Sequence, residues 1–229
     1  MPIQNGLTYL KNGLAKNNSF FTDINNLKEE NEELKNKNSE LEAKVRELEV
    51  IKAENTTLKE YMKMTDKYKE FNTVPAYIIN KDISNLSRTI VINVGSKDGI
   101  GVNMTVISEA GLVGHVISVT DKTAKVQTII DSSSTISATV STSRDGILVR
   151  GMLEDQKILK ATFIPAEATL VKGDSVETSG MGGIYEKGIH IGTIKDIVST
   201  KNITNRYALI ETAVNFDKIE TVLVITKGN

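Results

Sequence analysis

Residues 178–194 read TSGMGGIYEKGIHIGTI and contain five glycines and one serine, Ser179. Such a stretch is compatible with a nucleophile loop, a phosphate-binding loop or a tightly turned part of a β-sheet. The choice among these three decides whether the chain is an enzyme or a structural protein. The five glycines are Gly180, Gly182, Gly183, Gly188 and Gly192.

The known enzyme loop motifs do not fit this stretch. A nucleophile elbow requires G-x-S-x-G, but Glu177 stands two residues before Ser179. A P-loop requires G-x-x-x-x-G-K-[ST], and the chain contains no such string. A dinucleotide loop has a third glycine where this chain has Tyr185. We therefore interpret the five glycines as structural, permitting positive φ and close approach of backbones in a β-sheet.

A serine protease triad is the sharpest enzymatic alternative. His115, Asp131 and Ser179 follow the chain order of chymotrypsin-like enzymes. The residues around Ser179 nevertheless differ from the Gly-Asp-Ser-Gly-Gly loop of those proteases. His115 and His190 both lie in alternating stretches typical of half-exposed strands. The sequence thus predicts no catalytic residue, and a degenerate or active serine hydrolase remains an alternative.

Composition excludes several further classes of function. The 28 basic and 29 acidic residues are balanced, so no basic surface for nucleic acid is expected. The chain has no cysteine, which excludes thiolate metal sites, and its two histidines allow no histidine cluster larger than a pair. No apolar run reaches the roughly 18 residues of a membrane span. We predict neither a cofactor nor a metal.

Residues 20–72 show a helical pattern with heptad spacing. They contain no glycine or proline, and leucines repeat every seven residues. Leucine at d and asparagine at a favour a two-stranded coiled coil in a fixed register. The predicted dimer interface comprises Ile24, Leu27, Asn31, Leu34, Asn38, Leu41, Val45 and Leu48.

Charged residues beside this seam favour a parallel homodimer. The g and following e positions pair as Glu30–Lys35, Lys37–Glu42 and Lys44–Glu49, all opposite in sign. After Leu48 the apolar seam shifts by three residues, which indicates a local overwinding. A solitary solvated helix lying along the protein is the alternative. At 1.5 Å per residue such a helix would be roughly 75 Å long, and so small a domain could not cover it, which favours the coiled coil.

From residue 73 onward, short alternating runs of Val, Ile and Thr replace the helical pattern. Turn residues separate these runs at regular spacing, which is typical of an all-β barrel or sandwich. Pro75 is expected to end the helix. We predict a mainly β chain with a long N-terminal α-helix, in which a coiled coil precedes two small β-barrels. The first spans 73–150 and the second 151–229, and terminal strands are free to cross between them.

An internal repeat supports two related β units. GLVGHVISV (111–119) is similar to GIHIGTIKDI (188–197) with one residue inserted. TAKVQTII (123–130) is similar to YALIETAV (207–214) at an offset of 84 residues. The matches occur in the same order, so each unit is shorter than about 85 residues.

Three stretches carry a resemblance to a known family: NVGSKDGIGVNMTVISEAGLVGHVISV (93–119), GDSVETSGMGGIYEKGIHIGTIKDI (173–197) and ETVLVI (220–225). Preceded by a coiled coil, they resemble the rod shape-determining MreC family across nearly the whole chain. The family's signature glycines fall on the five glycines of residues 178–194. Where relatives have a glycine before the methionine, this chain has Asn103, which tolerates positive φ.

The resemblance implies a non-catalytic, membrane-anchored scaffold of the cell-elongation machinery on the extracytoplasmic side. PIQNGL (2–7) is similar to the segment that follows the membrane anchor, so residues 1–19 are expected to lie next to the membrane. The resemblance further implies self-association as dimers and filaments, contact with a penicillin-binding transpeptidase and MreD, and an indirect link to MreB. We expect partners to bind edge strands of the barrels by strand addition. An extracytoplasmic coiled-coil adaptor of a transport complex is a further alternative.

Overall fold

The structure is a computed structural model that describes residues 2–83, 87–152, 155, 157–198 and 206–226. Among residues 2–25 and at residue 83 only the backbone is described. One helix, α1 (Pro2–Lys67), precedes the β-strands. The strands are β1 (Thr73–Ile83), β2 (Arg88–Ile92), β3 (Thr105–Ile107), β4 (Leu112–Val119), β5 (Ala124–Thr128), β6 (Thr135–Val140), β7 (Gly146–Gly151), β8 (Ile158–Thr162), β9 (Ser175–Thr178), β10 (His190–Val198), β11 (Tyr207–Thr212) and β12 (Thr221–Ile225).

The chain forms two compact units, residues 1–56 and residues 57–229. In the first unit every described side chain is exposed, because the helix has no other element of its own unit to pack against. Its surface carries two ion pairs between residues four apart, Lys37 with Glu33 and Lys44 with Glu40, each at 2.6 Å. Such exposed pairs contribute only a few tenths of a kcal/mol each, so they support the helix weakly.

The second unit contains two closed six-stranded barrels. The first has the strand order β1-β12-β3-β4-β5-β2, and the second has the order β10-β11-β8-β7-β6-β9. This confirms the predicted fold class of a long N-terminal helix followed by two small β-barrels. Each described strand pairs with two neighbours, so the expectation of free edge strands for strand addition is wrong. Closing a barrel removes the unpaired N–H and C=O groups that such addition requires.

The distribution of strands between the barrels differs from the predicted boundary at residue 150. Strands β6 and β7, which end at Gly151, already belong to the second barrel. The last strand, β12, returns to the first barrel and closes it between β1 and β3. The stretch between β1 and β5 supplies only five strands, so a sixth strand from the end of the chain is needed to complete the ring.

The helix ends before Pro75. Its last residue is Lys67, and Pro75 lies within β1 opposite Leu223 of β12. Met64 and Tyr68 are buried in the core of the second unit, to which the last turns of the helix belong. The chain therefore leaves the helix at the point where its last apolar side chains are packed, and the proline stands inside the strand that follows.

The repeated sequences occupy equivalent positions in the two barrels. Around each ring, β3-β4-β5-β2-β1-β12 corresponds to β9-β10-β11-β8-β7-β6. Gly114 of β4 lies opposite Thr128, and Gly192 of β10 lies opposite Thr212. A bulge follows two residues later in both strands. The barrels are thus two copies of one unit, except that the last strand of the chain takes the place in the first barrel that the leading strand β6 has in the second.

Candidate interaction surfaces and the barrel junction

The predicted coiled-coil face is an exposed apolar row on α1. Leu34 is 58% exposed and Leu48 is 65% exposed, although both are large apolar side chains. The other described members of the predicted interface are also exposed: Leu27, Asn31, Asn38, Leu41 and Val45. Ile24 lies among the residues whose side chains are outside the description. An exposed row of leucines at heptad spacing is the surface that a second helix would cover.

The glycine-rich stretch forms a loop between β9 and β10 that is closed by Thr178. The buried hydroxyl of Thr178 donates to the carbonyl of Glu186 at 2.5 Å and accepts from the amide of Ile189 at 2.8 Å. The backbone amide of Gly188 donates to the carbonyl of Thr178 at 2.9 Å. These bonds join the two ends of the loop to each other.

The five glycines of this stretch lie at sharply turned or closely approached positions. Gly192 lies in β10, where a Cβ atom would approach the carbonyl oxygen of Glu211 to 2.0 Å. Only a residue without a side chain fits such a contact. The other four have positive φ angles: 79° at Gly180, 93° at Gly182, 71° at Gly183 and 83° at Gly188.

The structure does not bring His115, Asp131 and Ser179 together as a triad. The hydroxyl of Ser179 donates to the carbonyl of Ser137 at 3.0 Å, while Nδ1 of His115 lies 2.9 Å from the hydroxyl of Tyr185. Asp131 accepts hydrogen bonds from the backbone amides of Ser133 and Arg88. A general base must reach the nucleophile within hydrogen-bond distance, and this arrangement gives Ser179 no base.

Tyr185 connects the glycine loop of the second barrel to the first barrel. Its ring packs edge-on against His115 of β4, with ring centroids 5.5 Å apart. Beside it, Thr105 of β3 donates its hydroxyl to the carbonyl of Ile184 at 2.9 Å. Burial raises the pKa of Tyr185 to about 12 and lowers the pKa of His115. The tyrosine hydroxyl therefore stays protonated and can donate a hydrogen bond to the neutral imidazole.

Arg88 holds a second part of the junction. Its side chain is buried at the start of β2 and donates from Nη1 to the carbonyls of Ile130, at 2.9 Å, and Met152, at 2.7 Å. Ile130 precedes β6 and Met152 directly follows β7, and these two strands form the first hairpin of the second barrel. The guanidinium of Arg88 thus connects β2 to the segments before and after this hairpin. No sequence pattern indicates this role, because one arginine before an apolar strand is indistinguishable from a surface residue.

Asp131 caps the connection from β5 to β6. Its carboxylate accepts the backbone amide of Arg88 at 2.7 Å, and the amide and hydroxyl of Ser133. Burial alone would raise the pKa of Asp131, but the hydrogen bonds from Ser133, Arg88 and Gln127 together outweigh burial and lower it. This residue therefore orders a connecting loop, which is a structural role for the aspartate of the hypothetical triad.

His190 lies at the other side of the junction. Its Nδ1 atom is 3.0 Å from the hydroxyl of Ser175 on β9. Burial and the nearby ammonium of Lys67 lower the pKa of His190, and Glu177 acts in the opposite direction. Lys67, the last residue of α1, donates to the carbonyl of Glu109 in the loop between β3 and β4 at 2.6 Å. The end of the helix, the first barrel and the second barrel thus meet near this imidazole.

The second barrel also carries an exposed apolar groove of about 280 Å³. Phe163 and Met181 flank it and are 78% and 75% exposed. Phe163 has a φ of 56°, a conformation that a bulky side chain rarely adopts. Large exposed apolar side chains beside a groove are typical of surfaces that contact other proteins.

Within the described residues no group of three or more His, Cys, Asp or Glu side chains is placed to hold a metal ion. In the same part of the chain, no helix combines the length and the apolar character that crossing a membrane requires. Transport adaptors carry a helical hairpin between strands, and α1 is the only α-helix among the described elements. The transport-adaptor alternative therefore gains no support.

Comparisons with known proteins agree with this architecture. Residues 78–226 match the model of the rod shape-determining protein MreC, barrel core. The cell shape-determining protein MreC of Listeria monocytogenes is 30% identical over 181 residues, which are 78% of this chain and 61% of that protein. The chain thus spans about three fifths of the length of this relative.

Solved structures show the same fold. A structure of MreC from Listeria monocytogenes superposes with a TM-score of 0.64 at 26% identity, covering 84% of this chain and 97% of that chain. A complex between penicillin-binding protein 2 and MreC from Helicobacter pylori has a TM-score of 0.55 at 17% identity and covers 69% of this chain and 99% of that chain.

The match spans both barrels, including the returning strand β12 that completes the first one. The relatives are shape-determining proteins of a non-enzymatic family, in agreement with the separation of Ser179 from His115 and Asp131. The two barrels, the N-terminal helix and this match together show that the chain belongs to the MreC family of rod shape-determining proteins.

Proposed function

We propose that this chain is the extracytoplasmic part of a membrane-anchored scaffold of the cell-elongation machinery. It pairs with a second copy through α1 and presents its barrels to a penicillin-binding transpeptidase. Contacts with MreD, an indirect link to MreB and further association into filaments belong to the same proposal. The observation that carries it is the exposed heptad row on the helix that precedes the barrels.

Exposure of this row supports a self-associating helix. Leu34 and Leu41 both stand at d and are 58% and 59% exposed. Burying a leucine side chain contributes about 1.5–3 kcal/mol, so several leucines per helix provide ample driving force for pairing. The charges at g and e match a parallel second copy, as the pair Lys37–Glu42 illustrates.

Pairing would offer each barrel surface twice. A partner complex with two matching sites then gains avidity without any new contact, provided that both copies engage. This is the physical advantage of a scaffold over a monomeric binding domain. Support for the choice of transpeptidase comes from the Helicobacter pylori complex, in which a relative of the same fold is bound to penicillin-binding protein 2.

Sedimentation velocity of the full chain tests the pairing. The variant Leu34→Lys/Leu41→Lys places charges on the seam, and Asn36→Lys/Ala43→Lys places the same charges at f on the opposite face. We expect the unmodified chain and the f-face variant to sediment as dimers and the seam variant as a monomer. A seam variant that remains fully dimeric would show that α1 is not the interface.

The partner is tested by capture from detergent-solubilised membranes of the bacterium that makes this chain. Labelling with a fluorescent penicillin identifies any penicillin-binding protein in the captured fraction. We expect a labelled band with the dimeric chain and a weaker band with the seam variant, because avidity is lost. A labelled band no stronger than that retained by resin without protein would contradict the proposed recruitment, whatever the oligomeric state.

A further inference from the structure

The chain has two histidines, and both lie where the two barrels meet. His115 belongs to β4 of the first barrel and faces Tyr185 of the second. His190 begins β10 of the second barrel, and its carbonyl oxygen would lie 2.2 Å from a Cβ atom placed on Gly111 of the first. Histidine is the residue whose charge changes between about pH 5 and 8, so the junction contains the groups that titrate there.

His115 is surrounded by neutral groups. Its neighbours across the strands are Thr105 of β3 and Gln127 of β5, and its contact in the second barrel is Tyr185. None of these three side chains carries a charge that could stabilise an imidazolium. In the neutral state the tyrosine hydroxyl can donate to Nδ1, but after protonation Nδ1 also carries a hydrogen and the bond must reverse.

His190 lies near the ammonium of Lys67 and near the carboxylate of Glu177, which is itself in an ion pair. Lys67 opposes its protonation, and Lys67 is held by the carbonyl of Glu109. Glu177, opposite His190 on β9, favours protonation but is paired with Arg144 at 2.7 Å. A positive charge on His190 would therefore repel the lysine that ties the end of α1 to the first barrel.

We propose that the contact between the two barrels is a pH-sensitive hinge, in which protonation of His115 and His190 releases the second barrel from the first. Two further polar bonds across the junction, from Thr105 to Ile184 and from Arg88 to Met152, do not titrate in this range and act as the pivot. Release changes how the two barrels present their surfaces to a partner, which goes beyond the proposed scaffold function.

The direction of the effect follows from proton binding. Burial lowers the pKa of both histidines in the closed state below the ordinary value of 6.5. An open junction exposes them to water and restores a pKa near that value, so the open state binds protons more readily. The closed junction is thus favoured above pH 6.5 and loses its advantage as the pH falls below it. The open-to-closed ratio rises by at most about tenfold per pH unit for each histidine.

Distance measurements between the barrels test the hinge. Because the chain has no cysteine, Lys122→Cys in the first barrel and Glu167→Cys in the second place two spin labels at exposed sites. Pulsed dipolar spectroscopy then gives the distribution of distances at pH 7.5 and pH 5.0. We expect a narrow distribution at pH 7.5 and a second, longer or broader population at pH 5.0.

The matched variant is His115→Gln/His190→Gln, which keeps polar side chains at both sites but removes their titration. We expect its distances to be the same at both pH values, whereas Asp121→Asn, which alters an exposed carboxylate on a turn, keeps the acid response of the parent chain. In the parent chain, the imidazole proton shifts should titrate at the midpoint of the distance change. An unchanged distribution at pH 5.0, an acid response that survives in the double glutamine variant, or a different midpoint would each overturn the proposal.

Discussion

Gly114 of β4 and Gly192 of β10 occupy the same position in the two barrels. A Cβ atom on Gly114 would lie 1.9 Å from the carbonyl oxygen of Gln127, and one on Gly192 would lie 2.0 Å from that of Glu211. Both distances are far inside van der Waals contact. The two contacted residues, Gln127 and Glu211, lie 84 positions apart, which is the offset of the second pair of repeated sequences. The repeat thus preserves a place where two paired strands approach each other without a side chain between them.

Replacing either glycine by alanine should therefore destabilise the protein. In Gly114→Ala and Gly192→Ala the new methyl group meets a backbone carbonyl, which cannot move away as a side chain can. We expect each variant to lose about 1–3 kcal/mol of unfolding free energy, the usual cost of overpacking. Urea denaturation followed by circular dichroism measures the loss.

Gly146→Ala is the matched control for these two variants. Gly146 begins β7 and a Cβ atom there would have no other atom within 4 Å. Its unfolding free energy should stay within about 0.5 kcal/mol of the parent chain, as for ordinary surface substitutions. Equal losses in all three variants would show that the close approach in β4 and β10 is not the cause.

Removing the guanidinium of Arg88 should cost more than removing an exposed arginine. Arg88→Met leaves the carbonyls of Ile130 and Met152 without the hydrogen bonds that Nη1 donates. Bonds of charged donors contribute about 1.5–3 kcal/mol, so a loss of this size is expected in urea denaturation. Arg150→Met, at an exposed position of β7, should have little effect, and a similar loss there would contradict a specific role of Arg88.

Asp131 should make the stability depend on acid. Burial opposes ionisation, but the hydrogen bonds from Ser133, Arg88 and Gln127 outweigh it and lower the pKa of Asp131 from its ordinary 3.8. The stabilisation is thus present above pH 3.8 and is lost as the pH falls through the lowered value in the folded state. Asp131→Asn should be less stable at pH 7, and its deficit should shrink below pH 3.8 in urea unfolding. A deficit that is independent of pH would contradict this role.

The asparagines at a should control the oligomeric state of the helix. Asn31→Ile/Asn38→Ile makes the seam continuously apolar, which raises stability and removes the preference for two strands in one register. Sedimentation equilibrium should then show trimers or larger species beside dimers. Asn36→Ile lies at f, outside the seam, and should leave the distribution of oligomers unchanged. If Asn31→Ile/Asn38→Ile remains purely dimeric, the two asparagines do not control the oligomeric state from a buried position in the interface.

Ser179 should not react as an activated nucleophile. Its hydroxyl donates to the carbonyl of Ser137 and accepts from the amide of Met181 at 3.2 Å, and no imidazole is among its partners. A fluorophosphonate probe should leave the chain unlabelled under conditions that label trypsin fully. Labelling that disappears in Ser179→Ala would restore the hydrolase alternative.

Local patterns in the sequence were enough to identify the elements. The heptad spacing of Leu27, Leu34 and Leu41 indicates a helix whatever surrounds it, because a period of seven places these residues on one face. Alternating Val and Ile residues after residue 73 indicate strands for the same kind of reason. The repeat at 84 residues further indicated two barrels, and Asn103 was expected to accept a left-handed conformation, which its φ of 65° confirms.

Pairing between distant strands was decided by the tertiary structure alone. An alternating strand such as β12 fits either barrel equally well by its own pattern, and only closure of a six-stranded ring assigns it to the first. For this reason the boundary at residue 150 was misplaced and the expected edge strands are absent among the described strands. Similarly, α1 ends at Lys67, well before Pro75, where Met64 and Tyr68 are buried.

The junction between the barrels also depended on the tertiary structure. Nothing near Tyr185, Arg88 or His115 in the sequence says that these residues meet a second barrel, since each is an ordinary residue of its own strand or loop. Local periodicity determined the helix, the strands and their repeat, because these follow from contacts between residues a few positions apart. Contacts of high sequence separation determined the barrel closure and the junction, because they exist only once both rings have formed.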